Sequence, residues 1–536
     1  MIRQILAKDW RLLWPMALFV ALIQLCMVWV EYTSGFFGAV PAVAHMLRPL
    51  TIAWYAGIAL LAVAVVQQDA MAAVDQDWLI RPVKRSQLLL AKLLFVVLTV
   101  SVPMFVLDLA RAVAGGFPLT ASLAVVTYKE LYVIVCLIVP VIALASTAAR
   151  MSELVAFGAA LVATYAVSVG VAAAAFGANS CPTCDSGVGW LQHLFGHLGV
   201  FVGAIAIIAL QYFRRATNAA RALLILGVVA LVFVQLQWSA AWGIQCWLSP
   251  ASNEAQGVSI ALNSSPLVDP AINSAATPSV GGAARTLMHG DVGVAGRYVQ
   301  GRAQRGAVQR RIELPLQISG MLAGELLYID RAEVSWIDEQ GRRLYRGTDS
   351  DVLAVDGSSS VAPSASAQLS NETIAVPAAT YSAIASRASS LQLQYFLTLM
   401  TAEGRYRLNV QESEMRSAGL GHCAMQLSQD ATSISLVCHT LGLAPTCLSA
   451  TLYGVSQHNP EILRCDPDYR PYLPAMTDVL SGYALEIPIR DRSGLVHYPV
   501  PPSELAQSYV LLKVYQARGH FTRSAVASGL RLTNQG

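Results

Sequence analysis

The sequence predicts a two-part fold: an α-helical polytopic membrane domain of about seven spans, then a β-rich, sandwich-like extracytoplasmic domain. Three features predict it. Only 13% of the 536 residues are charged, against about 25% in ordinary soluble chains, while 55% are hydrophobic. Those charges are sparse before about residue 248 and ordinary after it. Beyond residue 305, short runs of alternating apolar residues are separated by turn signals. A net charge of +3, with no basic tail and no acidic run, gives no reason to expect nucleic-acid binding.

A bilayer core calls for about 20 mostly apolar residues per helix. Seven stretches qualify, near 12–30, 50–67, 92–110, 129–148, 153–176, 193–213 and 221–247. The first lacks a small-residue cleavage site, so it is expected to stay as a membrane helix. Residues 1–14 combine Lys8, Asp9 and Arg11 with Trp10 and Trp14, which suits an interfacial helix ahead of the first span. Lysine and arginine gather in the alternate loops: Arg3, Lys8 and Arg11; Arg81, Lys84, Arg85 and Lys92; Arg150; and Arg214, Arg215 and Arg221. The positive-inside tendency puts those loops and the N-terminus in the cytoplasm, and seven spans then put the C-terminal domain outside. The expected location is a bacterial-type inner membrane. Cys423, Cys438, Cys447 and Cys465 in the C-terminal half suit an oxidising compartment, where four cysteines allow three pairings; the alternative is reduced, buried thiols in a cytoplasmic domain.

The loop between the second and third spans carries the most information. Acidic Asp75 and Asp77 lead into Trp78-Leu79-Ile80-Arg81-Pro82-Val83-Lys84-Arg85, and Ser86 precedes Gln87-Leu88-Leu89-Leu90-Ala91-Lys92. Pro82 breaks any preceding helix and Ser86 is a suitable N-cap, so the pattern is a break, a basic corner and a new helix. This run is similar to the cytoplasmic loop of ABC-2 type permeases, the transmembrane subunits of ATP-binding-cassette transporters. The resemblance covers roughly the first 250 residues. It implies a permease driven by a separate ABC ATPase bound at the 68–92 loop, with Asp75, Asp77, Trp78, Arg81, Lys84 and Arg85 making the contact. It also implies a homodimer or a pairing with a sister permease. The chain departs from the family in having seven spans rather than six, and in carrying its outside domain after the last span. No G-x-x-x-x-G-K-[ST] motif occurs, so the chain is not expected to be an enzyme or to bind a cofactor; ATP would sit on the partner. The alternative is a membrane-anchored envelope sensor or assembly scaffold without transport, for which such a loop has no use.

Residues 249–305, rich in Ser, Ala, Gly, Pro and Asn, read as a linker, leaving 306–536 as the β domain. Within it, 325–337 reads as a strand turning at Asp338-Glu339-Gln340-Gly341, and 391–395, 485–490 and 509–515 read as further strands. Pro488 argues for an edge strand. No G-x-S-x-G or H-E-x-x-H motif is present. In the membrane half, Cys181 and Cys184 precede His193 and His197, which share one helix face. Two thiolates and two imidazoles suit tetrahedral zinc, and the alternatives are a Cys181–Cys184 disulfide or free thiols. Asp108 and Arg111 near the outer end of the third span read as interfacial anchors.

Overall fold

The computed structural model describes residues 2–36, 41–69, 85–176, 187–235, 237–250, 253–262, 309–322, 324–349, 353–356, 368–385, 388–411, 414–417, 421–427, 433–441, 447–454, 462–465, 480–489 and 507–530. Seven helical stretches among them are long and apolar enough to cross a membrane, beginning with Ile2–Val30 and ending with Thr217–Val234.

The first stretch belongs to α1 (Ile2–Phe36), whose 35 residues extend about 52 Å. The opening residues expected to form a separate interfacial helix instead continue α1 without a break. Asp9, Leu13, Ala17, Val20 and Ile23 recur every three or four residues and are all buried. They form one stripe on a helix that is continuous through Pro15. Next comes α2 (Pro41–Gln67), then α3 (Arg85–Val96) and α4 (Val102–Ala114), joined by a π turn at Val97–Ser101. The pattern repeats in α5 (Leu119–Val133) and α6 (Val139–Ser146), joined by a π turn at Ile134–Ile138. Each π turn runs into a Val-Pro pair. Pro103 and Pro140 bring no backbone N–H, so the ladder slips: the N–H of Val102 bonds to Val97 O and that of Val139 to Ile134 O.

The bundle continues with α7 (Met151–Phe176), α8 (Gly189–Ala209) ending in a third π turn at Leu210–Arg214, and α9 (Thr217–Gln235). Its core includes Val20, Ile58, Leu61, Phe95, Ile142 and Ile207. The last expected span, 221–247, is broken: α9 stops at Gln235 and a separate helix, α10 (Trp238–Leu248), follows. Both Gln235 and Gln237 fall at this junction, where an apolar run would otherwise continue.

The segment expected to be linker includes α11 (Asn253–Gly257) and strand β1 (Ser259–Leu262) among its described residues. Then follow β2 (Gln309–Ser319), β3 (Glu325–Asp338), β4 (Arg343–Asp349), β5 (Leu353–Asp356), β6 (Gln368–Pro377), α12 (Ala378–Ala385) and β7 (Ser389–Asn409). The remainder is β8 (Glu414–Ser417), β9 (Gly421–Leu427), β10 (Ser433–Leu441), β11 (Cys447–Tyr453), β12 (Ile462–Cys465), β13 (Leu480–Pro488) and β14 (Tyr509–Leu530). All pairings between these strands are antiparallel. The large sheet runs β12-β11-β14-β7-β3-β4, with β5 also on β3. Its central strands β7 and β14 have 21 and 22 residues, about 70 Å of extended chain. A sheet of β1-β2-β6 covers one end, closing a core around Trp336 and Tyr395. A sheet of β13-β10-β9-β8 covers the other end, over Leu436, Leu485 and Val510. The β-rich region is therefore two sandwiches that share one long sheet.

Several sequence expectations hold in this half. Asp338 accepts the N–H groups of Gln340 (3.0 Å) and Arg342 (2.7 Å), and Gly341 takes a φ of 78°, so the turn closes as its residues dictate. Pro488 lies on the edge strand β13. A disulfide joins Cys423 to Cys438, directly opposite each other on β9 and β10. Cys447 is also disulfide-bonded, and strand register sets it opposite Cys465.

Candidate functional site

The residues singled out in the 68–92 loop lie mostly outside the described ones: Asp75, Asp77, Trp78, Arg81 and Lys84 fall in 70–84. Both ends of that segment are described, and both are fixed. On the entry side, Asp69 follows the end of α2 and pairs with two ammonium groups, Lys92 Nζ at 2.6 Å and Lys8 Nζ at 2.8 Å. Lys92, only 1% exposed and two turns into α3, also reaches Asp9 of α1 at 3.1 Å. Burial opposes the charge on Asp69, but Lys92 and Lys8 outweigh it and hold its carboxyl below the usual range. On the exit side, Arg85 opens α3 and donates through Nη1 to the carbonyls of Tyr212 (3.3 Å) and Phe213 (3.5 Å). Those carbonyls close the π turn after α8, where a helix C-terminus favours a cation. The two ends of 70–84 are thus tied to α1, α2, α3 and α8. Arg221 adds a further tie at this end of the bundle, donating to Thr147 O at 2.9 Å and pairing with Glu153 at 3.4 Å.

A second charged group lies deeper. Asp108 of α4 pairs with Lys129 of α5 at 2.7 Å, and both are buried with Glu130 beside them. The reading of Asp108 as an interfacial anchor is corrected accordingly. The sequence missed this group because hydropathy opened the fourth span at residue 129, which placed Lys129 and Glu130 at its edge. The helix begins at Leu119, ten residues earlier, and the apolar run Leu123–Val126 was the available signal.

The third place is the joint between bundle and β domain, at the end opposite Arg85 and Lys92. Trp238 and Trp242 of α10 stack at 5.4 Å, and Phe396 of β7 meets both edge-on at 4.7 and 5.6 Å. Arg331 of β3 lies 4.4 Å over the Trp238 ring. A buried relay runs beside them. Trp190 Nε1 donates to Gln245 Oε1 (3.2 Å), and the Gln245 amide nitrogen lies 3.1 Å from His520 Nδ1 and 3.3 Å from its Nε2. Thr398 Oγ1 lies 2.8 Å from His520 Nδ1 and donates to Asp330. An amide nitrogen and a hydroxyl against the ring suit a neutral imidazole. Burial pushes the His520 imidazole down to about 4, in keeping with that assignment. Gly187, with a φ of 85°, sits so close to Asp330 that a Cβ would collide with its carboxylate. Leu441 of β10 makes a second contact, against Ala112 and Val126 of the bundle.

Of the residues weighed for zinc, Cys181 and Cys184 lie outside the described ones. His193 and His197 share a face of α8, with rings 6.2 Å apart, and His197 meets the Tyr132 hydroxyl at 2.9 Å. Among the described residues no group of three or more His, Cys, Asp or Glu side chains is placed to hold a metal ion.

No family model matches the chain, and no curated protein matches it. Among solved structures, a red sea bream transglutaminase aligns at 7% identity with a TM-score of 0.11, over 42% of this chain and 29% of that one. The chain thus spans less than a third of that structure's length, and a score this low carries no argument about fold or activity.

Proposed function

We propose that this chain is the membrane-spanning permease subunit of an ABC-2 type transporter, driven by a separate ATPase that docks on residues 70–84. The observation that carries this reading is the anchoring of the two residues that flank that segment, Asp69 and Arg85. A coupling element has to pass a push into the helices, and a slack loop would absorb it. Here the segment starts at a carboxylate locked by two lysines and ends at an arginine locked on α8, so displacement would reach four helices at once. The distribution of polarity supports a bilayer setting. Leu18, Phe19, Trp29, Val155, Val162 and Phe233 are exposed on the bundle surface, whereas Asp9, Lys92, Asp108, Lys129 and Glu130 are buried within it. That pattern suits hydrocarbon rather than water as the surrounding solvent. The basic end would then face the cytoplasm and the β domain would stand outside an inner membrane, where its disulfides suit an oxidising compartment. A homodimer or a sister permease would complete the transport unit.

The test is a pull-down of the full chain from native membranes in mild detergent, read by mass spectrometry and ATPase assay. A co-purifying nucleotide-binding subunit, lost in the Trp78→Ala/Arg81→Ala double variant, is the expected result. A clean preparation without an ATPase would overturn the permease reading in favour of an envelope sensor or scaffold.

A further inference from the structure

The group around Glu130 has chemistry that neither the loop nor the joint uses. Glu130 is only 6% exposed, and among the described residues neither of its carboxylate oxygens has a hydrogen-bond partner. The charges acting on it are Asp108 and Lys129, and the one hydroxyl that interacts with it, outside strict hydrogen-bond geometry, is that of Ser101. Lys129 is committed to Asp108, 2.7 Å away. Ser101 is 5% exposed, and apart from Glu130 its hydroxyl has no polar partner among the described residues. Arg111 stands one turn beyond Asp108 on α4 and is engaged in an interaction of its own. A carboxylate buried in this way, beside a second carboxylate whose lysine is already taken, calls for one positive charge.

The backbone points the same way. The π turn at Val97–Ser101 ends on Ser101, and the π turn at Ile134–Ile138 begins four residues after Glu130. In each, the slipped bond and the proline that follows leave one carbonyl, Leu98 O or Val135 O, without its helical donor. Interrupted helices inside membrane bundles supply such carbonyls to cations, and π turns gather at functional positions. We infer that Glu130 and Ser101, beside the Asp108–Lys129 pair, form an intramembrane site that takes up a single monovalent cation, either a proton or an alkali-metal ion. The site lies between α4 and α5, in the half of the bundle nearer the β domain. Its occupancy would alter the packing of the two interrupted helices. The inference stands on the bundle alone and does not depend on an ATPase partner.

The test uses the purified full chain in lipid nanodiscs. Infrared spectroscopy in the carboxyl region reads a proton on Glu130, and calorimetric titration with sodium and with potassium reads an alkali ion. Glu130→Gln keeps the shape and removes the charge, so it is expected to fold. A protonated-carboxyl band at neutral pH that disappears in Glu130→Gln identifies the ligand as a proton. Saturable binding of one sodium or potassium ion, lost in Glu130→Gln and weakened in Ser101→Ala, identifies an alkali ion. An unsubstituted protein with no protonated-carboxyl band and no bound ion across the neutral range overturns the site. That outcome is read on the unsubstituted protein, so it holds even where a variant fails to fold.

Discussion

Lys92 shows how much one side chain can hold. Its ammonium sits between Asp9 and Asp69, and removing it would leave two carboxylates buried without their main partner. Breaking a buried pair from one side costs about 3–5 kcal/mol, whereas an exposed pair contributes about 0–1 kcal/mol. Lys92→Ala is therefore expected to lower the unfolding temperature in detergent sharply, and Lys8→Ala, at the half-exposed partner, only slightly; equal effects would contradict the arrangement. Asp69 adds a pH dependence of definite sign. Its folded carboxyl titrates below the ordinary 3.8, so it contributes stability that is fully present above that value and disappears as pH falls below it. Asp69→Asn should flatten the acid limb of a stability–pH curve. The sequence placed Lys92 at the start of the third helix but could not show which carboxylates it meets. Asp9 is 83 residues away along the chain, and only the packing of α1 on α3 brings the two together.

At the scale of elements, the joint is built from pieces the sequence hid and strands it displayed. The turn at Asp338 and the edge strand at Pro488 were legible because local chemistry fixes them. The break between α9 and α10 was not, because hydropathy averages over two glutamines in an otherwise apolar run. Nor did the alternation at 391–395 reveal that β7 would run on to Asn409 and carry Phe396 and Thr398 to the face that meets the bundle. Trp242→Ala should remove a stacked ring and its contact with Phe396, a loss of about 3–5 kcal/mol for a buried tryptophan. Limited proteolysis should then release the β domain faster, with the bundle unchanged. His520 makes the same joint acid-sensitive. Its imidazole titrates near 6.5 when unfolded and near 4 in place, so between those values the unfolded chain binds more protons. Docking is fully stable above about 6.5 and is lost progressively as pH falls toward 4, by at most roughly 3 kcal/mol. A second ring proton would face the Gln245 amide nitrogen, donor against donor. Cleavage at the joint should therefore quicken on acidification, and His520→Asn should remove that dependence.

For the whole molecule, the question is which end of the bundle faces which compartment. Positive residues group at one end in both sequence and structure, since Arg85, Lys92 and Arg221 all make their bonds there. The β domain packs at the other end, through α10 and through Leu441 against α4 and α5. Seven helical stretches long and apolar enough to cross a membrane relate the two ends among the described residues, and if all seven cross, one extra or missing span would place the domain on the same side as the basic residues. The structure has the domain resting on the end away from them, a relation that counting apolar runs could only infer. Sidedness can be measured at exposed positions on each end. Ser86 opens α3 at the basic end, and Gln340 sits in the exposed β3–β4 turn. With the native free thiols replaced, a membrane-impermeant maleimide applied to intact cells should label Gln340→Cys at once, and Ser86→Cys only after permeabilisation. The reverse order would turn the molecule over: the β domain would lie in the cytoplasm, its disulfides would lose their oxidising setting, and residues 70–84 would be out of reach of any ATPase. Labelling of both from outside would mean that the bundle does not span the bilayer as seven helices. Only the first pattern leaves the anchored residues Asp69 and Arg85 facing the compartment that holds ATP.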